Sequence, residues 1–170
     1  MRTDTATIVL RDKYTQPAYW VQSLDMGFDL DPKATRVAAR SVHHRNPASK
    51  ESDLVLHGDE VELVALRMNG ITLNKRHYRL EHGKLIIPNA PDEVTLEIET
   101  LIRPDTNTSL MGLYVSNDNF FTQCEAEGFR KITFFPDRPD VMAKYRVMLR
   151  ADKKKYPVLL SNGRSEERRV

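Results

Sequence analysis

The segment Thr122-Gln123-Cys124-Glu125-Ala126-Glu127-Gly128-Phe129-Arg130 concentrates more chemistry than any other stretch of this 170-residue chain. It follows the apolar pair Phe120-Phe121, so it leaves the end of a strand. If the strand runs on to Glu125, then Gln123 and Glu125 share one face and Cys124 points to the other. A carboxylate and an amide projecting together could read a cationic, hydrogen-bonding ligand. From spacing alone the favoured reading of the same residues is a solvated turn in which Glu127 and Arg130 form an ordinary (i, i+3) pair.

Other candidates for chemistry are thinner. A peptidase zinc site asks for two histidines one helical turn apart with a glutamate between them, the His-Glu-x-x-His pattern. The five histidines are His43, His44, His57, His77 and His82, and none is followed by Glu. His43 and His44 are neighbours in an expected strand and point to opposite faces. The expectation is therefore that no residue of this chain ligates a metal and that none is catalytic. Cys124 lacks a base partner in any recognisable signature and reads as a small buried residue. Glycine patterns for phosphate or dinucleotide binding are missing, with seven glycines in all.

Short strands must position these residues. Leu24, Met26, Phe28 and Leu30 alternate with Ser23, Asp25 and Asp29. Val94, Leu96, Ile98 and Ile102 repeat the pattern against Thr95, Glu97, Glu99 and Arg103, and Tyr145, Val147 and Leu149 repeat it against Arg146 and Arg150. Val61 to Met68 is apolar on both faces apart from Glu62 and Arg67, which predicts a central strand. Asn69-Gly70 is a strong two-residue hairpin signal and His82-Gly83 a weaker one. Asp137-Arg138-Pro139-Asp140-Val141-Met142-Ala143 carries the best helix signal, with Asp137 as cap and Pro139 in the first turn. The fold class is all-β, an antiparallel or mixed sandwich with one short helical insertion.

Bulk composition narrows the classes of function. Apolar residues make up 40% and charged residues 29%, a mix suited to a single globular domain. No stretch approaches the ~20 apolar residues of a membrane span, and no secretory signal is visible. One cysteine and no signal point to the cytoplasm. The formal charge of +2 is too small to suggest nucleic-acid binding. The basic run from Lys144 to Lys155 reads as a strand's wet face and a turn. Asn107-Thr108-Ser109 reads as a turn rather than a glycosylation site.

The string from Thr122 to Arg130 closely resembles the N-terminal domain of the gluzincin-type zinc aminopeptidases, the bacterial aminopeptidase N family. Ile132-Thr133, Asp137 to Met142 and Pro157-Val-Leu-Leu-Ser-Asn-Gly163 support the likeness, which runs from about Tyr14 to Gly163. The resemblance implies a saddle-shaped β-sandwich packed against a catalytic zinc domain. It further implies that Glu125 binds the free α-ammonium of a peptide N-terminus and that Gln123 lines the first side-chain pocket. Zinc, its ligands and the general base are implied for the full-length family enzyme and lie beyond this chain, which alone is expected to bind without cleaving.

The sequence departs from the family pattern at Pro136, where a leucine-like residue is expected, and after Gly163. Residues 1–13 are expected to be an extension, residues 14–163 a β-domain truncated before its last strands, and residues 164–170 a frayed charged tail. An edge left open there, at Val158 to Leu160 or its neighbour, would favour self-association. A stand-alone β-sandwich interaction module and, less favoured, a nucleic-acid-binding β-domain are the alternative functions.

Overall fold

The computed structural model describes residues 10–164. Residues 1–9 and 165–170, on which most of the expected extension and nearly all of the expected tail fall, lie outside them. Eleven strands make up the described chain: β1 (Tyr19–Asp29), β2 (Thr35–Arg45), β3 (Leu54–His57), β4 (Glu62–Met68), β5 (Ile71–Thr72), β6 (Arg79–Glu81), β7 (Lys84–Ile87), β8 (Glu93–Ile102), β9 (Gly112–Ser116), β10 (Asn119–Gln123) and β11 (Lys144–Arg150). They form a six-stranded sheet in the order β11-β1-β2-β8-β4-β5, a three-stranded sheet β3-β7-β6 and the hairpin β9-β10. All pairings are antiparallel except β1 with β11. The mixed all-β architecture is the expected one.

The inner face of the large sheet is covered in two places. At one end Leu54, Leu56, Leu85 and Ile87 from the small sheet pack on Tyr19, Leu66, Val94, Leu96 and Ile98. At the other end Leu113, Ile132, Phe135 and Val141 pack on Val21, Leu24, Met26, Phe28, Val37 and Ile102. Full burial of such side chains stabilises by roughly 1.5–3 kcal/mol each, so these two clusters are the main cohesive force of the fold.

Two bulges tune the alternation. Between Val21 and Ser23 the β1–β2 register slips by one residue. Tyr19 and Val21 therefore face inward with Leu24 and Met26, although strict alternation would put the two pairs on opposite faces. A second slip between Leu63 and Ala65 lets Val64 stand out at 45% exposure while Leu66 stays buried. This corrects the expectation for Val61 to Met68. Its apolar run reflects a change of phase at a bulge, not burial on both faces, and β4 lies next to the edge with only the two-residue β5 outside it.

Turn chemistry is obeyed at both expected hairpins. Asn69 and Gly70 have φ of 50° and 80°, and His82 and Gly83 have φ of 49° and 70°, the left-handed pair that a type I′ turn requires. A third such turn, Asn117-Asp118, joins β9 to β10 with φ of 47° and 60°.

The expected helix from Asp137 to Ala143 is absent; the segment is a turn closed by the Val141 N–H donating to the Arg138 carbonyl at 3.1 Å. Asp137 does not cap because its carboxylate is already committed to Arg130, and a tertiary partner wins over a weak local preference. Pro136 sits buried in the loop just before it. Helical structure among the described residues is limited to three short 3-10 turns. Residues 157–160 belong to no strand, and Val158 and Leu160 are exposed.

Candidate functional site

Strand β10 delivers the candidate residues. Its last pair joins Gln123 to Gly112 of β9, after which the chain turns sharply. The strand does not continue to Glu125 as conditionally expected, and exposure does not alternate: Phe121 to Gln123 and Glu125 to Glu127 are all exposed. Gln123 and Glu125 are exposed, while Cys124 between them is half-buried against the second hydrophobic cluster. The Gln123 side-chain amide reaches the Glu125 carbonyl at 3.4 Å. The Glu125–Ala126 peptide is cis. Burial, and then the nearby Asp137 carboxylate, push the Cys124 thiol upward, so it stays protonated and is a poor nucleophile near neutrality.

The turn is held at both ends. At its close the Gly128 N–H donates to the Cys124 carbonyl at 2.8 Å. A Cβ on Gly128 would stand 2.5 Å from the Gln123 carbonyl oxygen, so no side chain fits where the chain doubles back. On the far side the Arg130 N–H and its Nε both donate to one Asp137 carboxylate oxygen, at 3.0 and 2.9 Å, and a terminal nitrogen donates to the Asp137 carbonyl at 2.8 Å. The Asp59 N–H donates to the Arg130 carbonyl at 2.9 Å, and Lys131 Nζ bridges Asp59 and Glu60 at 2.8 and 2.7 Å.

The two carboxylates of Glu125-Ala126-Glu127 differ in one respect. Glu127 is 3.3 Å from Arg130, the expected (i, i+3) pair. The Glu125 carboxylate has no hydrogen-bond or ion-pair partner among the described residues. Of the pair, Glu125 is therefore the one available to an incoming cation. Sequence reading named Gln123 and Glu125 but missed the supports: Gly128 as a close-approach glycine, and Asp137 as the partner of Arg130 rather than a cap. The glycine inside a charged string was the available signal for the first. Nothing local announced the second.

The histidines are dispersed as the chain suggests. His43 is buried and His44 half-exposed on the other face of β2. Burial, and secondarily the neighbouring His44, hold the His43 imidazole down at about 4, and its Nε2 lies 2.7 Å from the Ser41 hydroxyl. Among the described residues no three His, Cys, Asp or Glu side chains gather so as to hold a metal ion. The basic run is partly neutralised by β1, Arg146 lying 3.9 Å from Asp25 and Arg150 reaching Asp29 at 3.1 Å. Asn107 spends its amide on the Met111 and Leu113 carbonyls at 2.8 and 2.9 Å, as a turn residue does.

Known proteins resemble this chain in sequence and fold. The family model of the peptidase M1 N-terminal domain matches residues 19–170. Aminopeptidase N of Caulobacter vibrioides is 44% identical over 163 residues, covering 96% of this chain and 19% of that protein. Aminopeptidase N of Escherichia coli is 45% identical over 153 residues, covering 90% of this chain and 17% of that protein. The chain thus spans less than a fifth of the length of these curated relatives.

Among solved structures, Legionella pneumophila aminopeptidase A in complex with aspartic acid aligns with a TM-score of 0.82 at 36% identity, over 89% of this chain and 18% of that one. An M1 zinc metallopeptidase from Deinococcus radiodurans aligns with a TM-score of 0.64 at 15% identity, over 80% of this chain and 33% of that one, a likeness of fold alone. With a family match over residues 19–170, the chain belongs to the peptidase M1 N-terminal domain family.

Proposed function

We propose that this chain is the substrate-anchoring and structural β-domain of a zinc metalloaminopeptidase that removes N-terminal amino acids from peptides, working in the cytoplasm. By itself it binds and does not cleave. The observation that supports this most is the unpartnered Glu125 carboxylate on a turn fixed at both ends, beside the Gln123 amide. Exposed in this chain, that carboxylate is shielded from water once a catalytic domain covers it, and it then pairs with an α-ammonium group and rejects a neutral amide nitrogen, which is the selectivity of an exopeptidase. Gln123, two residues before it, lines the pocket for the first side chain.

The zinc that the family implies would polarise the scissile carbonyl and activate water. No residue of this chain is assigned to it. This chain's part is geometric: an anchored ammonium group fixes the distance from the N-terminus to the bond that is cut.

The test joins this chain to the catalytic region of Caulobacter vibrioides aminopeptidase N, in place of the matching segment. Glu125→Ala should lower kcat/KM on aminoacyl arylamides by about 10- to 150-fold, the worth of one charge-assisted hydrogen bond. It should do far less on the analogue without the amine. Equal loss on both substrates, or none, rejects the assignment. Gln123→Ala should reorder preference among first side chains more than it changes overall rate.

A further inference from the structure

The turn that carries Glu125 is secured more heavily than its length requires, and the pattern of bonds has a direction. His57 and Phe135 exchange backbone hydrogen bonds at 2.8 and 3.1 Å, tying the segment before Asp137 to the small sheet. Asp137, 8% exposed, then receives three donations from Arg130 through its carboxylate and its carbonyl. Arg130 in turn holds the Glu127 carboxylate and, through its own carbonyl, the backbone of Asp59. The chain of contacts runs from the small sheet through Phe135, Asp137 and Arg130 to the turn, and it stops short of Glu125.

We infer that Arg130 and Asp137 are positioning residues for Glu125: their fork fixes the far end of its turn and occupies Glu127, so that one carboxylate, not two, is offered to an ammonium group. The inference rests on the reading of Glu125 as the ammonium site. Arginine suits the task because its planar fork can satisfy a backbone carbonyl, one buried carboxylate and one exposed carboxylate at once, which a lysine cannot.

Two effects follow from cutting the fork. The end of the turn loses its side-chain attachment through Asp137 and keeps only the backbone bond from Asp59 and the Lys131 contacts, so Glu125 is held less firmly at one distance. Glu127 is released two residues away, a second anion at the wrong distance from the reacting bond. Both effects strike substrates that carry a free amine, because only these use the carboxylate. A small misplacement of this kind costs between about 10- and 100-fold in rate.

The experiment uses the joined enzyme described above. Asp137→Asn and Arg130→Lys should each lower the preference for an aminoacyl arylamide over its des-amino analogue by about tenfold or more. In the Glu125→Ala background the same substitutions should change that preference by less than about twofold, because the group they position is gone. Undiminished preference in both variants overturns the inference, as does a loss that persists in full without Glu125, which marks a role in folding alone. Absence of any amine-selective loss in Glu125→Ala itself would instead overturn the reading of Glu125, and this inference with it.

A second measurement does not depend on turnover. In the 170-residue chain, Asp137→Asn should speed hydrogen exchange at the Gly128 and Arg130 amides by about tenfold or more while leaving the amides of β8 unchanged. Equal acceleration everywhere, or none at the turn, counts against the fork as a local device.

Discussion

Across the outer face of the six-stranded sheet Arg146, Asp25, Arg40, Glu97 and Arg67 stand side by side, one from each of β11, β1, β2, β8 and β4. Across the inner face the same strands present Val147, Met26, Ala39, Ile98 and Leu66. The outer row alternates in charge from strand to strand, so every ion has an opposite neighbour and the face can remain in water. The inner row is apolar throughout, and it is covered only part of the way. Met26 is 7% exposed whereas Val147, one strand outward, is 36% exposed, and Tyr145 beside it is 53% exposed. A sheet face made of paired charges is complete as it stands, whereas an apolar face is complete only where something packs on it.

The comparison breaks first at His43, a titratable group on the inner face between Val21 and Val94. Its value is depressed from 6.5 to about 4, so folding disfavours the charged ring. The unfolded chain then binds the extra proton as pH falls, and stability is full above 6.5 and drains away between 6.5 and about 4. The loss should reach roughly 3 kcal/mol, at 1.36 kcal/mol per pH unit. Urea unfolding of the parent and of His43→Gln, near neutrality and near pH 4, should show the variant losing less stability on acidification. Parallel decline of the two would remove His43 from the account.

The uncovered strand is the second place to press. β11 combines exposed apolar residues with an edge that has no strand partner outside it among the described residues, so the chain should self-associate as its concentration rises. Val147→Lys should weaken that association about tenfold or more, equivalent to about 1.4 kcal/mol. Sedimentation equilibrium of both proteins measures it. A monomer at millimolar concentration in the parent would show that the open rim is inert.

The smallest effect belongs to the outer face. Glu97→Lys puts a third cation between Arg40 and Arg67, with Arg67 3.6 Å from the present carboxylate. Exposed like charges side by side cost about 1 kcal/mol or less. The penalty should shrink in ~1 M salt, where the Debye length is about 3 Å. A salt-independent loss would mean that Glu97 contributes by packing rather than by charge.

The strands with one buried face were legible because their signal is local: Leu24, Met26 and Phe28, or Val94, Leu96 and Ile98, announce a half-buried strand by spacing alone. Asn69-Gly70 and His82-Gly83 were legible for the same reason, since their left-handed pairs are a property of two residues. What stayed hidden required a partner far along the chain. The bulges at Gln22 and Val64 shift the alternation, and Val64 made β4 look buried on both faces. Asp137 carried a cap signal that Arg130 overrules. Gln123 and Glu125 were placed by strand parity and by resemblance, and the (i, i+3) spacing of Glu127 and Arg130 already marked which carboxylate is paired, but the Asp137 that holds Arg130 in place lies where no spacing pointed.

The parallel pairing of β1 with β11 bears on the order in which the molecule assembles. Arg150 meets Asp29 across 121 residues of chain, while the two strands that present Gln123 are joined by two residues, Asn117 and Asp118. Closing a short loop costs far less chain entropy than closing a long one, so the hairpin bearing Gln123 forms early and the β1–β11 seam forms late. Strand β1 must therefore hold one side of its backbone unpaired until almost everything between Asp29 and Arg150 has been made and placed. The time that this takes sets how long β1 can be captured by another chain.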